Sequence, residues 1–194
     1  MLDTKARKYV QPAFEKMADL LILLKVSANQ LTFIAFLFGL LAAILVFLEY
    51  NIAGIIVLWI SGFLDAVDGT IARRTATASP IGTLLDILFD RLVEILVLLA
   101  VAFVNPPTGI YTAVVLSSII ISMTVFLTVG ALAEKKGEKS FYYQSGLAER
   151  TEGFIMISLA VLISGFRVAI LLVFAAMILF TAFQRVREAF KILK

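Results

Sequence analysis

The chain has 194 residues, of which 61% are hydrophobic and only 16% charged, against about 25% charged in soluble domains. With a mean hydropathy of +1.02, it carries more apolar surface than a soluble fold of this size can bury, and disorder is excluded by the same numbers. There is no Cys and no His, which excludes a disulfide scaffold, a Cys/His zinc site and histidine acid–base chemistry, so any metal must be held by oxygen ligands.

The class that remains is an all-α polytopic membrane protein, a single domain over residues 1–194. In residues 1–25, Arg7 and Lys8 precede Val10, Phe14, Met17, Leu21 and Leu24, which recur every three or four positions. This predicts an amphipathic juxtamembrane helix on the membrane surface, starting near Pro12. Glu15 and Asp19 interrupt the apolar core that a signal peptide would need. Residues 26–194 hold six apolar segments, at 30–48, 52–72, 82–104, 109–132, 149–165 and 167–186. Each is near the length of about 20 residues that crosses a bilayer. Glu49-Tyr50-Asn51, Ser79-Pro80, Asn105-Pro106-Pro107 and Ser164-Gly165 separate them as turns. Six transmembrane helices in one bundle are expected.

The 17 Lys and Arg set the orientation. An inside N-terminus puts Lys5, Arg7, Lys8, Lys16, Lys25, Arg73, Arg74, Lys135, Lys136, Lys139, Arg150, Arg185, Arg187, Lys191 and Lys194 on the cytoplasmic side. Arg167 alone lies outside, with Arg91 inside a span. Both termini are therefore expected to be cytoplasmic, in the cytoplasmic (inner) membrane. The pI near 9.2 reflects this topology and gives no case for nucleic-acid binding.

Five acids, Asp65, Asp68, Asp86, Asp90 and Glu94, fall within the second and third spans, where each costs about 2.5–3.5 kcal/mol on a lone inserted helix. Asp65, Asp68, Gly69 and Ala72 stand at i, i+3, i+4 and i+7 on one face, and Gly82, Asp86 and Asp90 at i, i+4 and i+8 on the next helix. The short loop 73–81 makes these helices antiparallel, so four carboxylates converge near the cytoplasmic surface. Cations must balance them, and an all-oxygen site suits Mg²⁺, Mn²⁺ or Ca²⁺ together with substrate phosphates. Gly69 and Ala72 leave room on the helix face, and Arg73 is a candidate phosphate clamp.

Asp65-x2-Asp68-Gly69-x2-Ala72-Arg73-x8-Gly82-x3-Asp86-x3-Asp90 resembles the signature of the CDP-alcohol phosphatidyltransferase family at every fixed position. The six-helix layout with an amphipathic N-terminal helix is also similar to that family, so the resemblance covers nearly the whole chain. It departs before the first span, where members often read Pro-Asn and this chain reads Val26-Ser27-Ala28-Asn29. The resemblance implies transfer of a phosphatidyl-type group from a CDP-linked lipid to the hydroxyl of a small polar alcohol, with release of CMP. Asp65, Asp68, Asp86 and Asp90 would then hold one or two divalent ions, Mg²⁺ or Mn²⁺, with Asp90 as the general base. The CDP-lipid would lie against Asp65, Asp68, Gly69, Ala72, Arg73 and Gly82. Lys135 and Arg150 are the acceptor-binding candidates, for an acceptor of the inositol phosphate, glycerol phosphate or serine type. A homodimer is expected on the same ground. Gly39 and Ala43, spaced as small-x3-small, mark a helix contact or a dimer seam. Glu94 either supports Asp90, pairs with a cation or makes a contact between subunits.

An ion-coupled transporter would place its acids near the midplane within repeated hydropathy units, a pattern this sequence lacks. The Gly, Ala and Arg spacing does not fit a membrane prenyltransferase. A di-iron bundle would need His.

Overall fold

The computed structural model describes residues 2–133 and 146–193, with side chains from Val10 onward. The described residues form α-helices and two short 3₁₀ turns, with no strand among them. The helices are α1 (Leu2–Leu23), α2 (Ala28–Phe47), α3 (Asn51–Arg74), α4 (Pro80–Val104), α5 (Gly109–Leu132), α6 (Arg150–Leu162) and α7 (Arg167–Ile192). All six predicted apolar segments are helical, as α2 to α7. By length and composition alone, four stretches are long and apolar enough to cross a membrane: Ala28–Phe47, Asn51–Arg74, Pro106–Leu132 and Ser164–Ile192. The other two depart for different reasons. α4 has the length but carries Asp86, Asp90, Arg91 and Glu94, whereas α6 has 13 residues and rises only about 20 Å.

The helix ends follow from local chemistry. Ser27 caps α2 in a reciprocal capping box with Gln30. Ser79 accepts from the Gly82 N–H at 3.1 Å and Pro80 occupies the first turn of α4. α1, α2 and α3 end on residues in the left-handed region: Lys25 (φ 57°), Glu49 (φ 64°) and Ala76 (φ 53°). Each is closed by a six-residue backbone bond, Val26 N–H to Leu21 O, Tyr50 N–H to Leu45 O and Thr77 N–H to Ala72 O, the Schellman geometry usually served by Gly.

The chain forms two compact units. In the first, residues 4–106, α2 packs against both α3 and α4. α2 buries a stripe of mostly small residues, Ala28, Leu31, Thr32, Ala35, Gly39, Ala42, Ala43 and Val46, and exposes Phe33, Leu37, Leu41, Ile44 and Phe47. Large side chains outside and small ones inside are what a helix needs when lipid is its solvent. A Cβ on Gly39 would collide with the Val93 side chain of α4, and one on Gly54 would meet Val46 and the Ala42 carbonyl. The Gly39–Ala43 stripe is thus a helix contact within the chain. α1 buries Phe14, Met17, Ala18, Leu21 and Ile22 against Ala28, Leu31, Val67 and Ile71, with the Phe14 and Phe63 rings 5.4 Å apart. Arg74 pairs with Asp19 at 2.5 Å, an exposed pair that adds at most about 1 kcal/mol.

In the second unit, α5 and α6 pack against α7. Arg167 donates to the carbonyls of Ala160 and Val161 at the end of α6. Arg185, buried on α7, reaches the Ser122 hydroxyl at 3.0 Å and lies 4.7 Å from the Phe126 ring centre.

Candidate active site

The site lies in the first unit, at the end of α3 and the beginning of α4. The helical spacing puts Asp65 and Asp68 one turn apart on α3, and the turn 75–79 brings α4 back alongside. One carboxylate oxygen each from Asp65, Asp68 and Asp86 lies within 4.8 Å of the other two. Asp65 and Asp68 are buried and Asp86 is half-buried. Asp68 Oδ2 is buried with no hydrogen-bond partner. Three oxygens in this arrangement, beside an orphaned oxygen on Asp68, fit a hard divalent cation. The position at the C-terminal end of α3 also favours positive charge.

Asp90 stands one turn beyond Asp86 on α4 and is not one of the three converging carboxylates. It interacts electrostatically with Asp86, Asp68, Glu94 and Arg91. Gly69 is half-buried, and the Arg73 guanidinium folds back over it, 3.3 Å from where a Cβ would stand. Arg73 is exposed and donates to Thr70 Oγ1 at 3.2 Å. Gly82 lies in the capped first turn of α4, where a Cβ would meet the Asn29 side chain at 3.1 Å. Ala72 packs against the core shared by α1, α2 and α3, so its small size serves helix packing there. Arg150 opens α6 with its guanidinium 5.4 Å from the Phe154 ring centre. Lys135 lies outside the described residues.

Two residues of α2 belong to the surroundings of the site and were not foreseen. Thr32 is buried and its hydroxyl interacts with the Asp68 carboxylate, and Asn29 borders Gly82. Their signal is Asn29 and Thr32 at i and i+3, which with Gln30 are the polar side chains at the start of an otherwise apolar helix. Glu94 pairs with Arg91 at 2.6 Å.

A helical membrane protein that converges three carboxylates beside a capped helix start, with the charge of Arg73 acting on Asp68, has the parts of a metal-assisted enzyme acting on phosphate esters at a membrane. Residues 25–190 match the CDP-alcohol phosphatidyltransferase family, and the chain belongs to it. It is an enzyme of phospholipid synthesis that catalyses CDP-alcohol phosphatidyl transfer. The chain is 34% identical over 188 residues to the archaetidylinositol phosphate synthase of Pyrococcus horikoshii, covering 97% of this chain and 96% of that one. It is 30% identical to the inner membrane protein YnjF of Escherichia coli, covering 100% and 98%. The fold is similar to that of the phosphatidylinositol phosphate synthase of Mycobacterium tuberculosis crystallised with CDP-DAG, with a TM-score of 0.74, 20% identity and coverage of 91% and 93%. A second structure of that synthase, with manganese and citrate, gives a TM-score of 0.75 at 19% identity, covering 91% and 88%.

Proposed function

We propose that this enzyme transfers a phosphatidyl-type group from a CDP-linked lipid to a hydroxyl of inositol phosphate, releasing CMP. The observation that carries the acceptor is the end-to-end similarity to an archaetidylinositol phosphate synthase. Asp65, Asp68 and Asp86, with Asp90 beside them, are the residues that would hold Mg²⁺ or Mn²⁺. When bound, the ions neutralise the pyrophosphate and lower the charge barrier to CMP departure. Arg73 holds a phosphate of the donor, while Gly69 and Gly82 keep the helix faces low enough for the nucleotide to approach. Asp90 accepts the proton of the acceptor hydroxyl as that oxygen bonds to the lipid-linked phosphorus. The bond from this phosphorus to the bridging oxygen breaks, and CMP leaves with the electron pair. Lys135 and Arg150 bind the phosphate already on the acceptor, as cations suited to a dianion.

The whole chain, 1–194, works as one membrane domain in this reading, with six spans in 26–194. Supporting it, the family match extends over both compact units and all six segments are helical. Residues 1–25 form a surface helix, supported by the exposure of Leu20, Leu23 and Leu24 beside a buried opposite face. The basic residues place both termini and the site on the cytoplasmic side of the cell membrane. The enzyme is proposed to act as a homodimer. The test incubates purified protein with a CDP-lipid, Mg²⁺ or Mn²⁺, and inositol phosphate, glycerol phosphate or serine, and measures CMP. CMP release with inositol phosphate alone is expected. Release only with glycerol phosphate or serine overturns the acceptor, and release with none overturns the reaction.

A further inference from the structure

Glu94 is buried in α4, where a lone charge costs about 2.5–3.5 kcal/mol in an inserted helix. Its carboxylate accepts from Arg91 Nη1 at 2.6 Å, one turn back along the helix. Arg91 directly follows Asp90, and its charge attracts both Asp86 and Asp90. α4 therefore carries three acids, Asp86, Asp90 and Glu94, and one cation. An arginine in a site shielded from water seeks a carboxylate, because a charge-assisted pair is the strongest bond open to it. Without Glu94, the carboxylates within its attraction on α4 are Asp86 and Asp90. A fixed cation settled there would cancel the charge that draws a divalent ion.

We propose that Glu94 is a positioning residue that occupies Arg91, holding it away from Asp86 and Asp90 so that these carboxylates keep their charge for a divalent cation. The inference rests on the metal-site reading above. It differs from a merely structural ion pair in one respect: removing Arg91 alone leaves metal binding intact, whereas removing either half of a buried structural pair leaves the other charge uncompensated and disturbs the site.

The test measures Mn²⁺ binding to the purified full chain by electron paramagnetic resonance of the free ion, in the wild type, Glu94→Gln, Arg91→Gln and the double variant. Glu94→Gln is expected to weaken binding by about ten-fold or more, since a unit charge a few ångströms from a divalent ion opposes it by roughly that factor even at the dielectric of water. Arg91→Gln binds at least as tightly as wild type, and the double variant returns to within about two-fold of it. A double variant as weak as Glu94→Gln overturns the inference, as does an unaltered Glu94→Gln. Arg91→Gln binding more weakly than wild type overturns the inference whether or not Glu94→Gln folds. A wild-type protein that binds no Mn²⁺ overturns the metal site itself.

Discussion

Asp68 carries an unmet electrostatic need: it is buried, its Oδ2 has no hydrogen-bond partner, and Asp65 and Asp86 approach it. A divalent cation would satisfy all three carboxylates together. Asp65→Asn and Asp86→Asn each remove one ligand charge, and the concentration of Mg²⁺ or Mn²⁺ giving half-maximal CMP release is expected to rise about ten-fold or more. An unchanged activation curve excludes the residue as a ligand. The part proposed for Asp90 is different, since a base acts on the transition state. Asp90→Asn is expected to lower kcat by about 10²-fold or more, while equilibrium binding of CDP-lipid stays within a few-fold of wild type. Turnover near wild type in this variant excludes Asp90 as the base. The aspartates were legible in the sequence because their spacing is helical and acids in apolar segments are costly. Thr32 and Asn29 were not, because they reach the site across the α2–α3 and α2–α4 contacts, and no periodicity along one helix encodes which polar residue of another faces it.

Helices α2 and α4 show how an element tolerates charge in a membrane. α4 keeps Glu94 against Arg91 on its inner side and exposes Ile81, Leu84, Leu88 and Phe103. α2 closes on it because Gly39 leaves space for Val93. Gly39→Ala forces the two helices apart, at a cost of about 1–3 kcal/mol for overpacking. Its thermal midpoint in detergent is expected to fall, and Val93→Ala in the same chain restores part of the loss. A midpoint unchanged by Gly39→Ala excludes this close contact. The left-handed residues at helix ends lead to a prediction of opposite sign. Relief of a non-Gly residue at φ 64°, as at Glu49, is worth about 1–2 kcal/mol. The added freedom of Gly in the unfolded chain offsets about 0.4–1 kcal/mol of that. Glu49→Gly is therefore expected to raise the midpoint, and a lower one contradicts the Schellman geometry there. Sequence marked this turn through Glu49-Tyr50-Asn51 but not its closure, because Gly is the usual sign of a left-handed helix end and none stands there. The Ser164-Gly165 turn is marked in the sequence, and α6 stops just before it at Leu162. The closure is not marked, because Arg167 reaches back from the start of α7 to the carbonyls of Ala160 and Val161, a contact that hydropathy does not encode.

At the scale of the whole molecule, the arrangement of charge makes a statement about sides that packing does not. Apolar side chains such as Phe47, Trp59, Ile120, Phe180 and Phe183 are exposed along the helices, as a lipid-facing surface requires, and that surface has no direction of its own. Direction comes from Lys and Arg, of which Arg167 alone falls in an outer turn if the N-terminus is inside. The absence of Cys lets single substitutions read this out against no background. Ala78 is exposed in the turn between α3 and α4, and Gly165 lies between α6 and α7 where a Cβ meets nothing within 4 Å. Leu193 is exposed beyond the end of α7. A membrane-impermeant maleimide applied to intact cells is expected to label Gly165→Cys and spare Ala78→Cys and Leu193→Cys, with all three labelled once the membrane is opened. The decisive comparison is Gly165→Cys with Leu193→Cys, because α6 alone is too short to reach across about 30 Å of hydrocarbon. Protection of Gly165→Cys in intact cells means that α6 turns back without crossing and that the chain has fewer than six spans. Labelling of Leu193→Cys in intact cells would place the C-terminus outside and leave the charge asymmetry without its cause.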